Sequence, residues 1–563
     1  MSDKKVKWKN VIPEKDSYRS IFKWGDAEEF KNPKLGLYEH LKKTLGISEE
    51  EFSIVKNPGN DKVTCEIPVK LQNDHITAFK NIVGEENVNL DDYSRVKYST
   101  GLTLFEQLNL REGIVEAISD IIIHPRDKED IQKIVNYCND HEISIYVYGG
   151  GSSVTLGLTP VKGGVTIVMN THMNKLIELN EKNQTCTVQA GMMGPDYEYQ
   201  LNNANKLFKT FKKYTCGHFP QSFEYSTVGG WIVTLGAGQQ SSYYGDIYDI
   251  VISQEYVTPV GTFKTKEYPA TATGPKINDI MKGSEGTFGV LVSATLKIFR
   301  YMPENNQNFA FIFPNWELSI DAVREISQSQ FGFPSVFRIS DPEETDLAFK
   351  LYGIEGTVID KYIKRKGYKL GEKCLYLGRA EGEKGFTRNI KKNVKKICKR
   401  FKGMYITGFP LKAWEKGRYT DPYMREPLVD HGVLVDTLET SVTWDNLHKI
   451  HETVRSFVKS KPHTICTSHA SHFYSQGTNL YFIFMTKLED IDNFKEFHRG
   501  IVDSIVECGG SISHHHGIGK IFAPWMKSHL GKEQLDVLIA LKKHFDPKNI
   551  MNPGGTMGLD ELR

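Results

Sequence analysis

Three consecutive histidines, His514, His515 and His516, stand in the stretch SISHHHGIGK between a strand-like run and two glycines, Gly517 and Gly519. Imidazoles titrate near neutrality, so they suit proton transfer, anion binding or metal ligation. Neighbouring side chains of a strand point to opposite faces, so regular structure cannot aim three of them at one ion. A turn can aim two of them into one pocket. No acidic or cysteine ligand motif flanks the run, which leaves a metal without its usual partners. The stretch therefore predicts no metal site and a role towards phosphate or oxyanion charge.

A second chemical signal is a series of glycine loops. YVYGGGSSVTLG puts Gly149, Gly150 and Gly151 directly after a buried-looking strand, followed by Ser152 and Ser153. Glycine lets a ligand approach the backbone closely, and successive amides there can cradle a diphosphate. Alone, such a loop is as readily a tight turn. It has company in Ser226-Thr227-Val228-Gly229-Gly230, in Gly236-Ala237-Gly238, and in MKGSEGTFGV around Gly283, Gly286 and Gly289. The pattern is not GxGxxG, so a nicotinamide Rossmann site is not supported. Several loops of this kind suit a long, bent dinucleotide held by backbone.

In order and spacing, GGGSS, STVGG and GSEGTFG resemble the FAD-binding domain of the vanillyl-alcohol oxidase / p-cresol methylhydroxylase superfamily. The resemblance implies FAD contacts from Val147, Tyr148, Gly149, Gly150, Gly151, Ser152 and Ser153 in the first loop. It implies further contacts from Gln221, Ser222, Glu224, Ser226 and Thr227, then from Thr234, Gly236 and Ala237. The last loop would add Glu285, Gly286, Thr287, Gly289, Val290 and Leu291. No histidine lies in the first glycine loop, so the FAD is expected to be non-covalent.

Within that superfamily, HHHGIGK, LETSVTWDNL, LYFIF and FPSVFRISD are similar to alkyldihydroxyacetone-phosphate synthases, whereas D-lactate and glycolate dehydrogenases usually carry one histidine before a related turn. Such synthases exchange the acyl group of acyl-dihydroxyacetone phosphate for a fatty alcohol, without net redox change, through a bond between substrate carbon and flavin N5. The resemblance implies catalytic roles for Tyr481, His514, His515, His516 and Arg338, with two of the imidazoles facing substrate and flavin and one structural. It implies substrate contacts from Arg425 and His218. By composition alone Tyr481 would read as a packed strand aromatic, and either arginine as half of a surface ion pair with Asp341 or Glu426. The stretch GHFPQS departs from the GHEPDS of animal members at Phe219 and Gln221. That departure keeps an FAD-linked D-2-hydroxy-acid dehydrogenase or oxidase as the alternative.

The elements that must position these groups follow from periodicity. SDIIIHPRDKEDIQKIVNYCNDHEISIYVYGGG reads strand, helix, strand, glycine loop, with Asp127 as the helix cap. Short strands and glycine turns continue to about Arg300. From NFAFIF onwards strand and helix patterns alternate. The expected fold is α+β: a two-part FAD-binding domain of the vanillyl-alcohol oxidase type with an α+β, ferredoxin-like cap. The expected boundaries are an N-terminal region 1–114, an FAD domain 115–301, a cap 302–507, and a C-terminal segment 508–563 that completes the site and returns to the FAD domain.

The chain has 563 residues, too many for one ordinary core, and a net charge of +2 from 71 basic and 69 acidic residues. That balance gives no electrostatic case for nucleic acid. Eight cysteines, with no CxxC pair, suit a reducing compartment. The N-terminus lacks a secretory h-region and the C-terminus lacks a peroxisomal tail, so a cytoplasmic protein is expected, with peripheral membrane contact as the expectation its lipid substrates add. The partners expected by resemblance are acyl-dihydroxyacetone phosphate, a fatty alcohol and a second copy in a homodimer. RNIKKNVKKICKRFKG reads as a basic amphipathic helix that either packs as a cap helix or leans on anionic lipid.

Overall fold

The structure, a computed structural model, describes residues 8–488 and 490–560. Residues 1–7 and 561–563, which carry part of both terminal readings, lie outside it.

The first half of the FAD domain is a small sheet of β1 (Val88–Asn89), β2 (Ile121–Ile123), β3 (Ile145–Tyr148) and β4 (Val165–Val168), in the order β1-β2-β4-β3. Strands β2, β4 and β3 run parallel. The crossover from β2 to β3 is the helix Lys128–His141, capped by the Asp127 side chain and burying Ile131, Ile134, Val135 and Cys138. That apolar spacing is one helical face, as its sequence dictates. The second half is antiparallel. It comprises β5 (Leu176–Asn180), β6 (Thr185–Gln189), β8 (Val251–Thr258), β9 (Gly261–Lys264) and β10 (Val290–Lys297), in the order β5-β6-β10-β8-β9. A short pair, β7 (Tyr214–Thr215) with β11 (Phe299–Arg300), stands beside it. Both sheets drain into one apolar core, from Ile121 and Ile145 to Val188, Tyr256 and Val290.

The cap is one seven-stranded antiparallel sheet. Its strands are β12 (Gln307–Phe313), β13 (Val336–Ser340), β14 (Cys374–Ala380), β15 (Met404–Tyr405), β16 (Val433–Thr443), β17 (Thr464–Ser471) and β18 (Gly477–Lys487). The order is β15-β12-β14-β13-β17-β18-β16. The first four strands, with helices Trp316–Gln328 and Lys384–Arg400, form a complete βαββαβ unit in the ferredoxin-like order. The last three, with helices Leu447–Ser460 and Ile491–Glu507, repeat that unit but stop before its fourth strand. In its place Ser511 bonds to the edge strand β16: its amide to the Ser441 carbonyl at 3.2 Å, and its hydroxyl from the Ser441 amide at 2.8 Å. The histidine run thus follows the residues that occupy the missing strand's position.

Alternation sorts the two faces of this sheet. Phe309, Phe311, Phe337, Ile339, Cys466, Ala470, Leu480 and Phe482 turn to one side and pack with the four helices. Helix Lys384–Arg400 spends Ile390, Val394 and Ile397 there, so its apolar stripe is core and its lysines face away from the opposite, cavity-forming side. The N-terminal region packs on both domains. Leu37, Tyr38 and Leu41 join Leu428, Val433 and Ile465 of the cap, while Arg19 and Arg111 share the buried Asp430 carboxylate at 2.7 and 2.6 Å. The C-terminal segment returns beside β3, where the Ile145 amide donates to the Ile550 carbonyl at 2.7 Å.

Candidate active site

A cavity of about 1140 Å³ lies between the FAD domain and the cap, above the usual range for a single small ligand. Val147, Gly149 to Ser153, Ser226, Thr227, Thr234, Gly236, Ala237, Glu285, Gly286, Gly289 and Leu291 line one end, with Gln221 and Ser222 at its margin. The first loop rests directly on the second. A Cβ on Gly149 would meet Thr227 Oγ1 at 2.5 Å, and one on Gly150 would meet the Tyr225 carbonyl at 2.3 Å. Side chains are excluded there, so what the loops offer a ligand is backbone and small hydroxyls. This cradle fits a dinucleotide such as FAD.

Strand register assembles the other end. Residues directly opposite in an antiparallel pair share a face. Glu439 of β16 lies opposite Tyr481 of β18, Tyr481 opposite His469 of β17, and His469 opposite Ser340 of β13, two residues from Arg338. One row thus carries a carboxylate, a phenol and an imidazole, with the Arg338 guanidinium on the same face two residues along β13. Tyr481 Oη donates to Thr437 Oγ1 at 3.0 Å, and its ring stacks on His469 at 5.0 Å. Arg338 pairs with Glu344 at 2.5 Å, and His469 Nδ1 meets the other oxygen of that carboxylate at 3.0 Å. Arg425 donates to the Leu102 carbonyl, while its Nη2 is buried with no partner.

Glu439 organises the histidine turn. Its carboxylate accepts from the amides of His514, His515 and His516 at 2.9 to 3.2 Å, from the Ser513 hydroxyl at 3.0 Å and from Asn479 Nδ2 at 2.8 Å. Three successive amides converge on one acceptor because the segment turns instead of pairing as a strand. Glu439, His514 and His515 have the spacing of a metal triad. The carboxylate oxygens are already filled by five donors, which argues for an anchor. From the other side the Glu285 carboxylate accepts the Ile518 and Gly519 amides at 2.6 and 2.7 Å, tying the turn to the third glycine loop.

Burial dominates the electrostatics. It pushes the Tyr481 phenol up to about 12, with Thr437 opposing and Glu439 adding to the rise. It lowers His515 well below the ordinary imidazole value, helped by His516 and His514, and lowers His516 against the pull of Glu439. Burial would raise the Glu344 and Glu439 carboxyls, but both lie below their usual value. His469 and Arg338 hold the first down; His516, His514 and backbone amides hold the second. Each site therefore keeps neutral imidazoles beside ionised carboxylates.

The structure brings Tyr481, His515, His516, Arg338 and Arg425 to one cavity wall. Several expected residues stand elsewhere. His514 sits behind His515, its Nδ1 3.0 Å from His515 Nδ1. His218 is buried against Trp231 at 4.8 Å with both nitrogens unpartnered, and burial lowers it to about 3; it does not line the cavity. Tyr148 packs with Ile122 and Val168 beneath the first loop. Thr287 spends its hydroxyl on the Ser284 carbonyl, and Val290 belongs to the core. Glu224 is half-buried near Arg418, outside the cavity. Tyr148 and Val290 follow strand alternation, since their neighbours Val147 and Leu291 are the ones that line the cavity. At the divergent stretch, Gln221 bonds to the Arg418 carbonyl and Gln239, and Phe219 packs on Phe223 at 5.2 Å. Sequence reading missed Glu439, Glu344 and His469. LETSVTWDNL contained the first, but nothing local marked its acceptor role.

Beyond the catalytic row the cavity becomes apolar. Val336, Leu347, Phe349, Ile363, Leu377 and Trp414 line it, and it reaches the surface at Ile359 and Phe409, which are 64% and 75% exposed.

Family models match two stretches of the chain. Residues 119–266 match the family model "FAD binding domain", and residues 302–556 match "FAD linked oxidases, C-terminal domain". The chain is 31% identical over 537 residues to the alkyldihydroxyacetonephosphate synthase of Dictyostelium discoideum, covering 91% of this chain and 86% of that protein. A solved alkyldihydroxyacetonephosphate synthase structure superposes with a TM-score of 0.81 at 28% identity, covering 95% of this chain and 99% of its own. The glycolate oxidase subunit GlcD of Bacillus subtilis is more distant, 25% identical over 85% of this chain and 96% of its own.

Proposed function

The chain belongs to the alkyldihydroxyacetonephosphate synthase family, and we propose how its own residues divide that family's work. The protein is an FAD-dependent enzyme that exchanges the acyl group of acyl-dihydroxyacetone phosphate for a fatty alcohol, forming an ether lipid precursor. The FAD is held non-covalently by the glycine loops, and when bound it supplies an electrophilic ring for the exchange.

The observation that carries the assignment of roles is the joining, in one cavity, of a phenol, four imidazoles and two guanidiniums to an apolar chamber. Arg425 offers the substrate phosphate a buried, unpartnered Nη2. Arg338, half engaged by Glu344, holds positive charge beside the phenol and opposes its rise. Tyr481 keeps its proton at neutral pH and hydrogen-bonds the departing acyl oxygen, which leaves as a carboxylate. His515 and His516, both held neutral, take a proton from the incoming alcohol. The apolar chamber houses the alkyl and acyl chains.

The exposed apolar mouth supports contact with an anionic bilayer. Val358, Ile359, Tyr362 and Phe409 are exposed there beside Lys361, Lys364, Arg365 and Lys412. The basic helix Lys384–Arg400 lies on the opposite side of the sheet, so the mouth is the better-supported docking face. Flotation with phosphatidylserine liposomes tests this: Phe409→Glu is expected to weaken binding, and undiminished binding by that variant overturns it. Homodimer formation and a cytoplasmic location belong to the same proposal. Eight free cysteines support a reducing compartment, and sedimentation reads the dimer directly.

Incubating the yellow protein with palmitoyl-dihydroxyacetone phosphate and labelled hexadecanol is expected to give labelled ether and free palmitate without an electron acceptor. Flavin bleaching under D-lactate or glycolate, with no ether formed, would instead favour hydroxy-acid oxidation.

A further inference from the structure

We propose that Tyr474 and Asp246 continue the histidine pair His515–His514 into a proton exit path from the catalytic cavity. The proposal rests on the exchange reaction above. In that reaction the alcohol O–H bond breaks and a carbon–oxygen ether bond forms. The acyl group leaves as a carboxylate, taking the electron pair of its bond to the glycerone carbon. A fatty carboxylate stays ionised at neutral pH, given an ordinary carboxyl pKa of about 4. One proton is therefore left over in each turnover, inside a cavity with apolar walls.

The exit is built from three separate parts of the chain. His515 lines the cavity; His514 does not. The two Nδ1 atoms are 3.0 Å apart, His514 Nε2 lies 2.6 Å from Tyr474 Oη, and Tyr474 Oη lies 2.5 Å from Asp246 Oδ2. Tyr474 follows β17 in the cap, Asp246 belongs to the FAD domain, and the histidines belong to the C-terminal segment. The bonds also have a direction. An ionised carboxylate has no hydrogen, so Tyr474 donates to Asp246. The phenol oxygen is then only an acceptor towards His514, which must carry its hydrogen on Nε2. With its hydrogen on Nε2, His514 presents Nδ1 as the acceptor for His515 Nδ1–H. This leaves His515 Nε2 as the free acceptor, with every donor of the path pointing outward.

Asp246 is half-exposed and takes the arriving proton on Oδ2, the oxygen that Tyr474 faces; its Oδ1 is buried with no partner. Asp249, exposed, accepts from the Asp246 amide at 3.3 Å. The titratable groups facing the path are Glu439 on β16, His469 on β17, His472 just beyond it, Tyr481 on β18, His516 on the turn, and Asp249. His218 faces His515 from the FAD domain. Once Asp246 releases the proton to water, reorientation of the Tyr474 hydroxyl and of the two imidazole rings restores the starting hydrogen positions, so no net chemistry accumulates on the path.

The test uses the full-length, FAD-loaded protein and the variants Tyr474→Phe and Asp246→Asn. Each is expected to lower kcat for ether formation about 10- to 100-fold while KM changes less than about twofold. The Asp246→Asn loss should shrink as imidazole buffer concentration rises, because a mobile base then takes the proton from Tyr474. An independent readout is the imidazole ¹⁵N spectrum: His514 is expected as the Nε2–H tautomer in the unmodified protein, and Tyr474→Phe should mix its tautomers. Wild-type kcat in both folded variants overturns the path. So does a loss that ignores buffer and pH and leaves the His514 tautomer unchanged, which would mark Tyr474–Asp246 as a clamp between domains. If the unmodified protein forms no ether, the reaction assignment is at fault, and the tautomer measurement still decides the path.

Discussion

The two halves of the cap sheet share a topology and differ in how they end. The first half, β12 to β15, closes with its fourth strand. Apart from Arg338 and Ser340 on β13, the strand that adjoins the second half, its cavity side is apolar: Ala310, Val336 and Leu377 meet Leu411 and Trp414, and Ile312 meets Phe349 and Ile363. The second half stops at three strands. Its cavity side carries Glu439, Tyr481 and His469, and a turn stands where a strand would pair. A strand there would have spent its amides on β16 and sent its side chains alternately up and down. The turn instead gives three amides to one carboxylate and frees imidazoles for the cavity. Completing the unit makes a wall for lipid chains; leaving it incomplete makes room for chemistry.

The sharpest test of this contrast removes one oxygen from the polar half. Tyr481→Phe is expected to lower turnover about 10²- to 10⁴-fold, while the lost bond to Thr437 costs only about 1 kcal/mol of stability. Equal losses in melting and turnover would make Tyr481 a packing residue. Glu439→Ala leaves three buried amides without their acceptor, and should cost about 3–5 kcal/mol in urea unfolding along with most activity. In the apolar half, Phe311→Ala should cost a similar about 3–5 kcal/mol yet leave kcat of the folded fraction near wild type. A collapse of kcat there would show that the halves are not separable.

A smaller effect is expected from Leu377→Phe, which fills the chamber: kcat/KM for hexadecanol should fall about tenfold relative to dodecanol. The gentlest is a pH effect. His218 is neutral in the fold, lowered by burial to about 3, against an unfolded value near 6.5. Between those values the unfolded chain binds more protons, so stability falls as pH drops below about 6.5. Replacing His218 by Phe should flatten the fall in melting temperature between pH 7 and pH 5; an unchanged slope would assign that fall to other groups.

The glycine loops and the cap's alternating rhythm were legible because both are local. A glycine needed for close approach leaves its mark at one position, as at Gly149 and Gly150. Alternation marks a strand such as β12 without reference to its partners. The departures were also local in kind but invisible in type. Tyr148, Thr287 and Val290 sit within matched motifs yet point away from the ligand side, and His218 is walled off by Trp231. Motif membership says that a segment passes the site, not which of its side chains faces it.

From the chain alone one can read that imidazoles, a phenol, guanidiniums and glycine turns exist at spacings compatible with a flavin site. Those properties belong to residue types and near neighbours. Folding alone chose His515 and His516 for the cavity wall, set His514 against Tyr474, and brought Glu439 from 75 residues upstream to hold the turn. Strand register makes those choices, and register depends on pairings between segments far apart in sequence, where a one-residue slip would turn every side chain to the other face.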